Sequence, residues 1–221
     1  EDGNDTLNGN ASRDTLNGAT GDDSLLGGED NDLLIGGDGA DTLSGGESDD
    51  ILYGNKSADF LVGGTGNDMV FGGQGVDVVS GGEGSDILYG NLGADEILGG
   101  LGDDVLFGGQ SDDSLSGSSG NDSLFGNRGD DLLIGGDGAD RVFIAGNGGD
   151  DSISGFAAGD GDVIQISSNL NGSGITSGAD VVALAVDDGA GSAVFDLGQG
   201  HSLTLIGVAP TSVTSGFFDV L

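Results

Sequence analysis

Aspartate recurs every nine residues along the first two thirds of the chain, at Asp5, Asp14, Asp23, Asp32, Asp41, Asp50, Asp59, Asp68, Asp77, Asp86, Asp95, Asp104, Asp113, Asp122, Asp131 and Asp140. It returns at Asp151 after a two-residue slip in register. Carboxylates at a fixed interval can form general acid–base pairs, ligate a hard cation, or make a solvated acidic face. The first use is unsupported, because 39 acidic residues make close pairs unavoidable and nothing in the spacing sets one pair apart. Zinc and nucleophilic chemistry lack their partners: Cys is absent, and the single His, His201, sits in the turn Gly198-Gln199-Gly200-His201. A solvated face has no reason to hold a strict register. Cation ligation is the chemistry that fits.

The element that must position each Asp is short. In Gly36 to Ser44, six turn-forming residues, Gly36-Gly37-Asp38-Gly39-Ala40-Asp41, precede Thr42-Leu43-Ser44, which reads as a three-residue strand. Two residues after every Asp of the column stands an aliphatic residue, from Leu7, Leu16 and Leu25 through Val70, Val79 and Ile97 to Leu133 and Val142. One copy cannot fold alone: its Leu contributes roughly 2 kcal/mol on burial, whereas ordering nine residues costs on the order of 10 kcal/mol. Neighbouring copies must supply the rest.

Composition sharpens the demand for a cation. Four Lys plus Arg oppose 39 Asp plus Glu in 221 residues, a formal net charge of −35, and 50 residues are Gly. Shuffled, such a chain would be a disordered polyanion; the register argues that it folds conditionally. Without Cys, a bound metal is the expected staple for so small an apolar core. The acidic balance excludes nucleic acid and anionic membranes as partners and favours cations. No signal peptide is visible, and no apolar run approaches the roughly 18 residues of a membrane span. The start in mid-repeat, Glu1-Asp2-Gly3-Asn4-Asp5, suggests the C-terminal part of something longer.

The strict period and paired glycines resemble the RTX (repeats-in-toxin) nonapeptide Gly-Gly-x-Gly-x-Asp-x-U-x, with U a large aliphatic, the hemolysin-type calcium-binding repeat. That resemblance implies an all-β fold, a two-sided parallel β-roll with 18 residues per coil, over residues 1–154. Residues 155–221 shift to longer apolar runs: Val163-Ile164-Gln165-Ile166, Val181 to Val186, Ala193 to Leu197 and Ser202 to Ile206. These read as antiparallel strands of a small β-sandwich-like cap. The segment Ser154 to Ser167, together with Leu203-Thr204-Leu205-Ile206-Gly207-Val208 and the tail Phe217-Phe218-Asp219-Val220-Leu221, looks like the end of serralysin-type domains. In that family the extreme C-terminus is read by a type I secretion exporter.

In the implied fold, copies 18 residues apart stack at the strand spacing of about 4.8 Å, where neighbouring carboxylates repel by roughly 1 kcal/mol even in bulk water. Calcium fits the problem, being a hard dication that takes carboxylate and backbone carbonyl oxygens; magnesium prefers to keep its water. Seven gaps on each edge give up to roughly 14 ions when each is shared by consecutive turns. Metal binding would then be folding free energy, leaving the chain unfolded in cytoplasm and folded outside the cell. The expected function is a non-catalytic calcium-binding module of a secreted bacterial protein, attached in relatives to a protease, lipase or epimerase domain. The alternative is a self-assembling segment of a surface layer, adhesin or extracellular filament.

Three finer signals remain. The first two copies depart from the pattern, with Ser12 in place of a glycine and Arg13 beside Asp14, so a frayed or weakly metallated edge is expected there. Gly45 to Ser80 and Gly81 to Ser116 match at about 21 of 36 positions, as if whole coils had been duplicated. Tyr53, Phe71, Tyr89, Phe107 and Phe125 occupy the position after U and face outward, where a ridge could serve as a contact face.

Overall fold

The structure, a computed structural model, describes residues 2–145, 148–168 and 174–221. Gly146 and Asn147, which open the last expected repeat copy, lie outside the described residues. The array is a parallel β-solenoid. Strands β1 (Thr6–Ala11) and β2 (Thr15–Thr20) form its first coil, and alternate strands stack into two separate sheets with an 18-residue register, as in Thr6↔Ser24 and Thr15↔Leu33. One sheet has 12 strands and the other ten.

The repeat strands are six residues long, twice the expected three, because the ladder runs on through the paired glycines; Gly28 pairs with Gly46, for example. Glycine suits the stacking where the backbone at the second position of the pair opens beyond φ 100°, while Asn10, Ala19, Asn55, Asn91, Ser118 and Asn127 hold it at φ 71–82°. Gly28 has φ 121°, and a Cβ there would collide with the carbonyl oxygen of Asn10 in the coil before it. The aliphatic column faces inward from both sheets, 0–2% exposed from Leu25 to Val142. The core is thus one side chain per strand, two stacks of aliphatics meeting along the roll axis.

The first coil is not frayed. β1 and β2 are fully formed and paired, and only their aliphatics, Leu7 and Leu16, are half-buried, since no coil covers them on one side.

The closing region differs from the expected separate sandwich in two respects. It continues the roll: β18 (Val163–Ile166), expected as an antiparallel cap strand, joins one sheet in parallel, as β17 (Asp150–Ser154) of the last expected repeat copy joins the other, because Ile153, Ile164 and Ile166 continue the buried aliphatic stacks. The expected strand from Val181 is instead helix α1 (Gly178–Val182), started by Ser177, whose hydroxyl accepts from the Asp180 N–H while the Asp180 carboxylate bonds back to Thr176 and Ser177. That reciprocal cap outweighs the strand preference of the two valines. The antiparallel expectation holds for β19 (Val186–Asp187), β20 (Ala193–Gly198) and β21 (His201–Leu205), a meander whose last strand runs parallel to β17. β22 (Phe218–Val220) completes the ten-stranded sheet beside β18. Phe195, fully buried, meets Phe218 edge-on at 5.5 Å and plugs the end of the roll. Among the described residues no helix is long and apolar enough to cross a membrane.

Candidate metal centre

Each turn delivers its Asp to the edge of the roll just before the next strand, and the 18-residue stacking sorts these residues into two files. One runs from Asp5 and Asp23 to Asp131 and Asp151, the other from Asp14 and Asp32 to Asp140. The structure thus stacks the Asp residues singled out in the sequence one above another in these two files. They are also more deeply enclosed than a surface column would be: Asp23 through Asp140 are 0–4% exposed, Asp151 is 5% exposed, and Asp5 and Asp14 at the open end are half-buried.

The two oxygens of each carboxylate have different roles. Oδ1 accepts the backbone N–H of the Asp one coil earlier, as in Asp23 N to Asp41 Oδ1 at 2.8 Å and Asp86 N to Asp104 Oδ1 at 2.8 Å. Oδ2 of every Asp from Asp23 to Asp140 is buried without a hydrogen-bond partner, 14 oxygens in all. A buried acceptor left unsatisfied costs about 1–3 kcal/mol, more when charged, so a periodic series of them calls for a bound positive group.

Electrostatics state the same demand. Burial, partly offset by the backbone N–H, pushes Asp59, Asp68, Asp104 and Asp113 up to about 7, with neighbouring carboxylates in the file adding to the rise. Asp50, Asp77, Asp122 and Asp131 rise to about 6 from the same leading cause, and Asp151, also desolvated, reaches about 7.

The oxygens that could join Oδ2 are main-chain. A Cβ placed on Gly9 would lie 2.6 Å from the Gly27 carbonyl oxygen and 2.7 Å from Asp14 Oδ2, so the first glycine of the turn leaves open a point where carboxylate and carbonyl approach. The same convergence repeats at Gly27 with Asp32 Oδ2 and the Gly45 carbonyl oxygen. Among the described residues no group of three or more His, Cys, Asp or Glu side chains converges. The donor set is thus carboxylate plus backbone carbonyl, which suits calcium and excludes a zinc-type cluster. The residues present fit the ion.

Two features escape sequence reasoning. Asp162 ends the second file: its Oδ1 accepts from Asp140 N at 3.0 Å across a 22-residue step, and its Oδ2 is satisfied by Ala157 N at 2.7 Å. The aliphatic two residues on, Ile164, is the signal that would have found it. The second feature is a ladder at the position before the file, where Asp22 Oδ1 accepts from Ala40 N and Asp49 Oδ1 from Asn67 N, one coil later and not earlier. Asp150 carries this ladder into the closing region, accepting from the Ser202 N–H and hydroxyl at 2.8 and 2.9 Å.

Comparison with known proteins places these features. The family profile of the RTX calcium-binding nonapeptide repeat matches four times in succession, over residues 1–34, 35–70, 71–106 and 107–142. No curated protein matches the chain. Among solved structures, the extracellular lipase LipA from Serratia marcescens is similar at 18% identity and a TM-score of 0.37 over 87% of this chain. The match spans 40% of the lipase.

Proposed function

The chain belongs to the RTX calcium-binding nonapeptide-repeat family, and from that premise we propose that it is a non-catalytic module of a secreted protein that folds when it meets extracellular calcium. The observation that carries this reading is the file of 14 buried, unpartnered Asp Oδ2 atoms. Calcium, when bound, supplies the positive charge that both files lack, up to about 14 ions and +28 against a formal −35. The chain's own groups take separate roles. Oδ1 locks each coil to the one before, Oδ2 and the first-glycine carbonyls hold the cation, and the aliphatic column excludes water between the sheets. Because these contacts exist only in the folded coil, ion binding is coupled to folding.

Residues 1–154 would be the calcium module, and residues 155–221 a closing cap that carries the type I export signal in its tail. A catalytic domain N-terminal to the repeats is the expected companion. A second reading, a segment that assembles into a surface layer or filament, draws on the flat sheet faces and their exposed Leu26, Phe60 and Leu98.

Calcium titration followed by circular dichroism and sedimentation separates these. A cooperative gain of β-structure near millimolar calcium with a monomeric particle supports the folding module, and assembly alongside that gain supports the lattice. Full β-structure in excess chelator refutes calcium-driven folding.

A further inference from the structure

The two outer faces of the roll are chemically unlike. On the ten-stranded sheet, β6 (Ile51–Lys56), β8 (Met69–Gln74), β10 (Ile87–Leu92), β12 (Val105–Gln110) and β14 (Ser123–Arg128) contain no acidic residue; they carry Arg128 and Lys56, the latter paired with Asp38 of the neighbouring strand at 2.8 Å. The strands of the opposite sheet carry Glu47, Glu83 and Glu96 over the same stretch. The same five strands also hold most of the array's aromatics. Tyr53, Phe71, Tyr89, Phe107, Phe125 and Phe143 form one continuous ladder, with centroids 4.0–4.9 Å apart and planes within 5–18°.

Beside the ladder runs a trough. One hollow, 420 Å³, lies against Tyr53 and Phe71; the next, 540 Å³, lies against Tyr89 and Phe107; Asn91 and Leu92 stand between them and line both. Gly73 and Gly109 line the hollows together with the exposed amide side chains of Asn55, Gln74, Asn91 and Gln110. The stacked rings cover one another's faces, so the trough meets ring edges and the Tyr residues rather than open π-faces.

We propose that this trough binds an uncharged, extended β-linked polysaccharide lying along the roll axis. Its polar groups repeat every two coils, Asn55, Asn91 and Asn127 in one file and Tyr53 and Tyr89 in another, so equivalent groups stand about 9.6 Å apart at the coil spacing. An extended peptide repeats every two residues, about 6.8 Å, and falls out of step with that spacing. Two hexose rings in extended β-linkage advance by close to two coils, so successive disaccharides meet the same amides. Gly73 and Gly109, with no side chains, leave room for the apolar flank of a sugar ring, while amides and Tyr hydroxyls meet its equatorial hydroxyls. Net charge disfavours a polyanion.

The test uses the full chain in calcium, with folding verified by circular dichroism, so that failure of calcium-driven folding is seen separately. Cellohexaose, mannohexaose and chitohexaose are titrated calorimetrically beside α-linked maltohexaose and polygalacturonate. At least one β-linked hexasaccharide is expected to bind at least tenfold more tightly than maltohexaose. Asn91→Gly removes the amide but keeps a residue type already native in that file at Gly73 and Gly109, and it should weaken binding at least fivefold without shifting the calcium midpoint. Gln110→Ala, on an exposed side chain, should weaken it in the same sense. Binding of none of the three, tighter binding of polygalacturonate, unchanged affinity in both variants, or self-association through this face that the hexasaccharide does not compete with would each overturn the proposal.

Discussion

The repeat array and the closing region share the same two sheets, yet they bury opposite things. In the array each nine-residue unit encloses one aliphatic and one carboxylate, and the partnerless carboxylate oxygens all lie there among the described residues. In the closing region Asp162, which ends one file, has both oxygens satisfied by N–H groups, and Phe195 and Phe218 fill the space between the sheets. Stability therefore comes from different sources within one fold. The described closing region rests on apolar burial and satisfied hydrogen bonds, whereas the array leaves its buried Asp Oδ2 atoms open to the cation that its repeat family binds.

Substitutions can break that comparison. Phe195→Ala should cost the most, about 3–5 kcal/mol, and should open the end of the roll to solvent, measured by thermal unfolding in saturating calcium. Leu88→Ala, in the middle of the array and fully buried, should cost about 2–5 kcal/mol in calcium; its effect should vanish in chelator, where the array has no fold to lose. Asp77→Asn keeps an oxygen for the Asp59 N–H but removes the charge, and should raise the calcium midpoint by the equivalent of about 1.5–3 kcal/mol of folding free energy.

Acidity acts on the array alone. Asp59, Asp68, Asp104 and Asp113 are raised to about 7 in the metal-free fold from an ordinary 3.8, so that fold binds more protons than the unfolded chain between these values. The penalty of burying them is fully present above about pH 7 and is relieved as pH falls toward 4. Circular dichroism in chelator should accordingly show more β-structure at pH 5 than at pH 8. The calcium midpoint should move the other way, rising as the pH falls, because ligation requires deprotonated carboxylates. The smallest effect is expected for Ser177→Ala, about 1 kcal/mol from loss of the cap on α1, and it should be independent of calcium.

Much of the array was legible because a nine-residue period ties every residue to a fixed environment. Asp41 and Leu43 fall into file and core as their neighbours do. The six-residue strands were not, since a glycine pair reads as a turn in a single copy and becomes ladder only when another coil lies beside it, as Gly46 does beside Gly28. Nor was the division between Oδ1 and Oδ2, which depends on which coil's N–H lies in reach. The closing region lacks the period, so Val163–Ile166 looked antiparallel until the buried stack of Val142 and Ile144 fixed it as the next parallel strand. At α1 the decisive signal, Ser177 followed three residues later by Asp180, was present but competed with a run of apolar residues.

The central claim is that the array is completed by cations and the closing region is not. Residue-resolved hydrogen exchange in millimolar calcium and in excess chelator tests it most directly. Amides of residues 51–128 should be protected in calcium and exchange at unfolded rates in chelator, with protection in the β20–β21 hairpin the last to be lost. Array amides that stay protected in chelator at pH 8 would contradict the account.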